Sequence, residues 1–421
     1  MGATGKRVAV IGAGMAGICA AKHALQNDME PTVFEQASQL GGTWVYTDNV
    51  GKDRYGLDVH SSMYKGLRTN LPKEIMGFPD FPIPDRGKSY LPSREILEFL
   101  ESYAANFKVK ERIKFEHFVI RVRPVDNEWE IIVKDLPNDR LCTMKFDFVI
   151  VCNGHYNAPL IPTLPGQDIY KGKQKHSHDY RCPEPYKDET VLVIGAGPSG
   201  IDLAYEISRV AKRVDLSHHL KEKPQTHFPP TVTQRPDVVE VTEDGVKFED
   251  GNVETYSVIL YCTGYLYTFP FISVDCGISV DDNYIQPLYK HIINIKKPTM
   301  AFIGIPFYAC VSQMFDLQVR FALKFFSGKK ALPSQKEMME DTDREMQERW
   351  KRGYKKRQAH MMGADQGKYY DDLSKTAEID NVKPVMVKLH NESSKRYLHD
   401  LVNFRKDIYR IIDDENFEKL N

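Results

Sequence analysis

Apolar positions along this chain switch repeatedly between a strand-like and a helix-like period. Residues 6–11, Lys-Arg-Val-Ala-Val-Ile, form a short β-branched run that stops at a glycine, which predicts a buried strand. Residues 16–26, with Ala20, Ala21 and Ala24, are helical in composition. Residues 31–35 return to a strand. Strand, glycine-rich turn, helix, strand is the opening of a doubly wound α/β domain. The same order recurs mid-chain, with strands predicted over 190–194 and 213–217 around a helix over 201–210. Two more apolar runs, 146–154 and 257–264, stop at Gly154 and Gly264, as parallel strands entering a ligand crevice do. Residues 119–133, with Trp129 and alternating Ile131 and Val133, predict a small antiparallel insertion. Proline-rich stretches at 159–165 and 183–185 mark the crossing between domains. From about Pro333 the chain is helical and strongly charged, without a motif.

The expected fold is therefore α/β, with two doubly wound Rossmann-like dinucleotide-binding domains and a helical C-terminal extension. The first domain takes residues 1–170, the inserted second domain 171–285, and residues 286–421 return to the first and carry the extension. Composition agrees with a globular chain: 421 residues, 42% hydrophobic, 27% charged, net charge -1. Such a balance gives no reason to expect nucleic acid as a partner. The basic run 351–357 follows the acidic run 337–348 and reads as a solvated helical face. Seven cysteines, an odd number without a CxxC, give no disulfide framework or zinc site and fit the reducing cytoplasm. No CxxxxC pair is present, which argues against a disulfide reductase. No run reaches the roughly 18 apolar residues of a membrane span, so no integral membrane anchor is expected. The early first strand leaves no room for a signal peptide, and one removed beforehand stays open. A charged helical tail leaves a homo-oligomer open as well.

The chemistry sits in the glycine turns. Gly12-Ala13-Gly14-Met15-Ala16-Gly17 lets backbone approach a pyrophosphate at a helix N-terminus. Glu35, followed by Gln36, ends the next strand, where a carboxylate accepts an adenosine ribose diol and repels a 2′-phosphate. This site is expected to take FAD or NAD. Gly41-Gly42-Thr43-Trp44 stands at the spacing of a second glycine pair passing near a flavin, so Gly42, Thr43 and Trp44 join the candidates. The second turn holds Gly195, Gly197, Pro198, Ser199 and Gly200. Its following strand ends in Ser217-His218-His219, with Lys221 and Lys223 beyond. A hydroxyl, imidazoles and cations in place of a carboxylate favour NADPH over NADH. His176, His178, His218 and His219 lack zinc spacing, no HExxH occurs, and no metal is expected. A GxSxG nucleophile turn is missing too.

Between the two turns lies Tyr170-x-Gly172-x-x-x-His176-x-x-x-Tyr180-Arg181. It resembles the identifying sequence of the class B flavin-containing monooxygenases, with Tyr170 where that pattern has Phe. Tyr180, rather than Trp, is similar to the N- and S-oxygenating branch and unlike the Baeyer–Villiger one. Cys262-Thr263-Gly264-Tyr265 looks like the family's link, and residues 67–74 followed by 78–82 resemble its segment carrying an active-site Asn. The short chain without a terminal anchor is similar to soluble insect or bacterial members, and His218-His219 to insect alkaloid N-oxygenases. Most relatives carry Arg where His219 stands, which leaves the NADPH preference open.

The resemblance implies FAD and NADPH as cofactors, and O2 with a small amine or sulfide as substrates. Oxygen would reach the substrate through a C4a-hydroperoxyflavin, with the hard chemistry belonging to the flavin. It implies Asn70 as the catalytic side chain, with Thr69 and Asn70 near both cofactors and Gln318 near the flavin. An oxidase or reductase spending NADPH without oxygenating anything, or a Baeyer–Villiger or N-hydroxylating relative, are the competing readings.

Overall fold

Strand Arg7–Ile11 sends alternate side chains into two cores, and both are closed to solvent. In this computed structural model, which describes residues 5–220 and 226–421, Val8 and Val10 join one core while Ala9 and Ile11 join another. A strand covered on both faces reads as a continuous apolar run. It pairs in parallel with Glu30–Phe34 and with Phe148–Val151. Seven strands complete the sheet, in the order Leu288–Tyr289, Ile293–Asn294, Met300–Phe302, Phe148–Val151, Arg7–Ile11, Glu30–Phe34, Ile113–Lys114. Only the pairings at the 288–294 edge are antiparallel.

The helices among the described residues are α1 (Met15–Gln26), α2 (Ser93–Asn106), α3 (Pro198–Ile207), α4 (Val311–Phe326), α5 (Gln335–Lys351), α6 (Gln366–Ala377) and α7 (Pro384–His399). Helices α1, α2, α4 and α6 cover one face of the first sheet through residues such as Ile18, Leu100, Leu317 and Leu373. An antiparallel sheet of His117–Val125, Glu128–Asp135 and Arg140–Phe146 covers the other, burying Trp129, Ile131 and Val133. The insertion thus runs past residue 133 into a third strand, whose outer face is polar and masks its alternation.

A second sheet holds Val232–Arg235, Arg213–Ser217, Thr190–Ile194, Val258–Tyr261 and Lys173–His176, in that order and all parallel. Val191 and Val193 face α3, while Leu192 faces the antiparallel strands Val238–Val241 and Gly245–Phe248. Helix α3 begins at Pro198 rather than 201, because proline suits a first helical position whose N–H has no partner. The chain re-enters the first sheet at Leu288. Helix α5 is closed by a Ser334–Glu337 capping box. The tail then reaches the second unit, where Leu389, Tyr397, Leu401, Phe404 and Tyr409 share a core with Leu203 and Leu260. No helix among the described residues is long and apolar enough to cross a membrane.

Candidate active site

Both glycine turns are built alike. Gly12 has φ +101°, and a Cβ there would lie 2.6 Å from the Cys152 carbonyl oxygen. Gly195 has φ +102°, with the Cys262 carbonyl oxygen 2.5 Å from the same point. Each is pinned by its N–H to the next strand end, Gly12 to the Phe34 carbonyl at 2.8 Å and Gly195 to the Ser217 carbonyl at 2.9 Å. Gly17 and Gly200 press on these first glycines: a Cβ on either would sit 1.8 Å from the carbonyl oxygen of Gly12 or Gly195. Helices α1 and α3 start at Gly14 and Gly197 without a side-chain cap or an acid in the first turn. Their first N–H groups are left for an anion.

Surroundings separate the two. Gly14 stands back to back with Gly42, whose Cβ would meet the Gly14 Cα at 3.1 Å, so the predicted second glycine pair does meet the first turn. Gly42, Thr43 and Trp44 form a single helical turn there. Ala13, Met15 and Ala16 are buried. Gly197 has nothing near its Cβ position, and Pro198 and Ser199 are exposed.

At the strand ends the chemistry differs as well. Glu35 is buried and its carboxylate accepts the N–H groups of Ala13 and Ala37, each at 2.8 Å. Burial pushes its carboxyl up, and the Ala37 and Ala13 bonds pull it part of the way back. Gln36 is half-buried beside it. In the second unit the Ser217 hydroxyl donates to the Pro236 carbonyl at 2.7 Å, and His218 pairs with the Gln234 side chain at 2.9 Å. His219 Nδ1 lies 3.1 Å from an Asp237 carboxylate oxygen. Lys221 and Lys223 lie outside the described residues.

The segment with the signature spacing joins the units. The Tyr170 side chain lies over Gly172, where a Cβ would meet its hydroxyl oxygen at 2.4 Å, and that hydroxyl donates to the Tyr256 carbonyl. His176 Nδ1 accepts the His178 N–H, so Nε2 carries the proton that goes to the Gly264 carbonyl at 2.9 Å. Burial holds its pKa down at about 4, and the imidazole stays neutral. The Arg181 guanidinium donates to the carbonyls of His178, Tyr180, Asn49 and Ser61 at 2.7–3.1 Å. The signature is thus a strap between the units.

Thr69 is buried, and its hydroxyl accepts the Leu91 N–H at 3.0 Å. Asn70 beside it is exposed. Gln318 is fully buried, accepting the Gly304 N–H at 3.0 Å and donating to the Tyr369 hydroxyl at 2.8 Å. Its carboxamide shapes the Gly304 turn. Away from the turns, Cys19, His23 and Asp316 come together between α1 and α4. There His23 and Arg320 each hold Asp316 at 2.6 Å, an ion-pair cluster joining the helices.

The family model described as flavin-binding monooxygenase-like matches residues 5–222 and 218–399. The chain belongs to this family. It is a flavin-binding monooxygenase, and an enzyme. It is 34% identical over 420 residues to senecionine N-oxygenase of Tyria jacobaeae, covering 98% of this chain and 91% of that one. It is 38% identical to flavin-containing monooxygenase FMO GS-OX4 of Arabidopsis thaliana, covering 87% and 83%. The solved structure of S-allyl-L-cysteine S-oxygenase from Allium sativum matches with a TM-score of 0.90 at 33% identity, covering 96% and 95%.

Some contacts of this monooxygenase escaped sequence reasoning. Tyr397 in α7 donates its hydroxyl to the Pro198 carbonyl at 3.0 Å, touching the second turn. Arg405 donates to the carbonyls of Thr69 and Arg68 and pairs with Asp202 of α3 at 2.8 Å. Tyr64 donates to that same Asp202. The charged tail carries no motif, and only its amphipathic helices hinted that it packs on anything.

Proposed function

We propose that this monooxygenase holds FAD at its first turn and NADPH at its second, and places one oxygen atom of O2 on the nitrogen or sulfur of a small amine or thioether. What carries the reading is the pairing of two matched glycine turns, only one of which ends its strand in a buried carboxylate. The residues fit the groups. A Cβ at Gly12, Gly17 or Gly42 would press on neighbouring backbone, so glycine there lets strand, helix and the second glycine pair close up into a tight turn. Glu35 presents a carboxylate where an adenosine ribose is bound. The proposed division is 1–170 and 286–421 for the flavin unit and its extension, with 171–285 for the coenzyme unit.

Bound flavin supplies the redox chemistry that joins coenzyme, O2 and substrate. The chain supplies placement. The N–H groups opening α1 and α3 hold pyrophosphates, with Gly12 to Gly17 on one side and Gly195, Gly197, Pro198, Ser199 and Gly200 on the other. Ser217, His218 and His219 face the coenzyme ribose. Gln36, Thr43, Trp44 and Gln318 belong to the flavin side. Asn70, with Thr69 fixed behind it, offers a carboxamide that donates and accepts without titrating, and it is the proposed catalytic side chain. The neutral, buried His176 and the Arg181 strap keep the two units in register. Seven unpaired cysteines support a cytoplasmic setting. N- and S-oxygenation both follow from the names of the relatives, and both atoms offer a soft lone pair.

The test supplies NADPH and O2 to the flavin-loaded protein with a tertiary amine, a thioether and a cyclic ketone in separate reactions. An N-oxide or S-oxide supports the proposal. A lactone from the ketone alone favours the Baeyer–Villiger reading, and peroxide without product favours an oxidase.

A further inference from the structure

The second strand end carries an acid that its own strand does not. Ser217 and Arg235 are register partners on neighbouring parallel strands. The His218 N–H donates to the Arg235 carbonyl at 3.1 Å, which keeps the two chains together beyond the strand ends. Two residues further along each, His219 and Asp237 stand side by side, with the imidazole Nδ1 3.1 Å from a carboxylate oxygen. Among the described residues, the groups that would meet a 2′-phosphate are already engaged. Ser217 donates to Pro236, His218 pairs with Gln234 and accepts the Leu220 N–H, and Arg235 donates to Asp215 and Glu254. His219, the outermost residue of the three-residue run, has a carboxylate for a partner.

A carboxylate at this end of a dinucleotide unit accepts ribose hydroxyls and repels a 2′-phosphate. Glu35 does so from the strand itself in the flavin unit. Asp237 reaches the corresponding end of the coenzyme unit from the strand next door. Resting on the reading of the second turn as the coenzyme site, we propose that Asp237 is a specificity-determining residue. It weakens the preference for the 2′-phosphate, so that NADH is accepted alongside NADPH. Both side chains are substantially exposed, at 77% for His219 and 42% for Asp237. Solvent screening therefore limits the effect to a factor of about five.

The experiment titrates NADP+ and NAD+ into the oxidised, flavin-loaded protein by calorimetry, as wild type and as Asp237→Asn. Asparagine keeps the shape and a bond to His219 while removing the charge. Wild type is expected to bind the two coenzymes within about tenfold of each other. Asp237→Asn is expected to tighten NADP+ about fivefold and leave NAD+ no tighter. A wild-type preference for NADP+ beyond about tenfold, or a variant ratio within about twofold of wild type, overturns the proposal. If neither coenzyme binds wild type, the coenzyme reading of the turn itself fails. That result is distinct from an unchanged ratio in a protein that binds both.

Discussion

The two glycine turns share a backbone and differ in what lies around it. Gly12 and Gly195 have φ values one degree apart, and each lies under the carbonyl of a cysteine ending the central neighbouring strand. Close approach of helix, strand and ligand leaves one solution, and both units adopt it. Around the first turn Gly42 closes in behind Gly14 and Glu35 is sealed inside. Around the second, Pro198 and Ser199 are open to solvent, and the strand end, buried at Ser217 and His218, comes out to solvent at His219. A sealed site suits a cofactor that stays through many turnovers, and an open one suits a coenzyme that is exchanged.

The largest expected effect separates the turns outright. Gly17→Ala puts a Cβ against the Gly12 carbonyl and should cost about 3 kcal/mol or more locally, so the purified protein is colourless. Gly200→Ala makes the same clash in the second unit, and should keep the flavin absorbance while abolishing reduction by coenzyme. Loss of flavin from both variants would erase the distinction between the turns.

Next comes the strap. Arg181→Ala strands three buried carbonyls and frees a fourth, on exposed Asn49, and urea unfolding should show a loss of about 2–4 kcal/mol. Arg181→Lys should recover only part of it, because an ammonium cannot reach carbonyls on both sides as a planar fork does. Full recovery would mean that charge alone matters there.

A smaller contrast lies at the strand ends. Glu35→Gln should weaken flavin binding about tenfold, measured by flavin release, since its charged bonds to Ala13 and Ala37 are lost or halved. Ser217→Ala loses one neutral bond to Pro236 and should change coenzyme affinity less than about threefold. Equal effects would contradict the idea that a charged group holds the first strand end and a neutral one the second.

The last contrast is in pH. Burial lowers the pKa of both His155 and His176 from 6.5 to about 4. The unfolded chain takes up those protons first, so stability is level above pH 6.5 and declines as pH falls toward 4. Asp316, held at about 2 against burial by His23 and Arg320, adds its own loss only below its ordinary 3.8. His176→Gln should make the decline between pH 6.5 and 4 shallower in thermal melts. An unaltered slope would remove His176 from the account.

Sequence was informative where a constraint is local. Both turns, their flanking strands and the Glu35 position follow from neighbours within about 25 residues, the span of one strand–helix–strand unit. The second glycine pair was legible too, through its fixed spacing. Contacts made across strands or from the tail were not. Asp237 sits two residues past a strand whose own pattern, half-buried and polar, says nothing of His219. Arg405 lies in a charged stretch, and only the folded chain brings it to Asp202 and Thr69. For Gln318, placed on the flavin side by resemblance, the sequence did not indicate that its carboxamide is committed to Gly304 and Tyr369.

The central claim is that electrons entering at the second turn leave as an oxygenated product formed at the first. The direct measurement runs the flavin-loaded protein with NADPH, a tertiary amine and 18O2, and counts coenzyme consumed, peroxide released and label in the product. The account predicts close to one labelled oxygen atom in the N-oxide per NADPH, with little peroxide. Coenzyme oxidised with matching peroxide and an unlabelled, unchanged amine would contradict it.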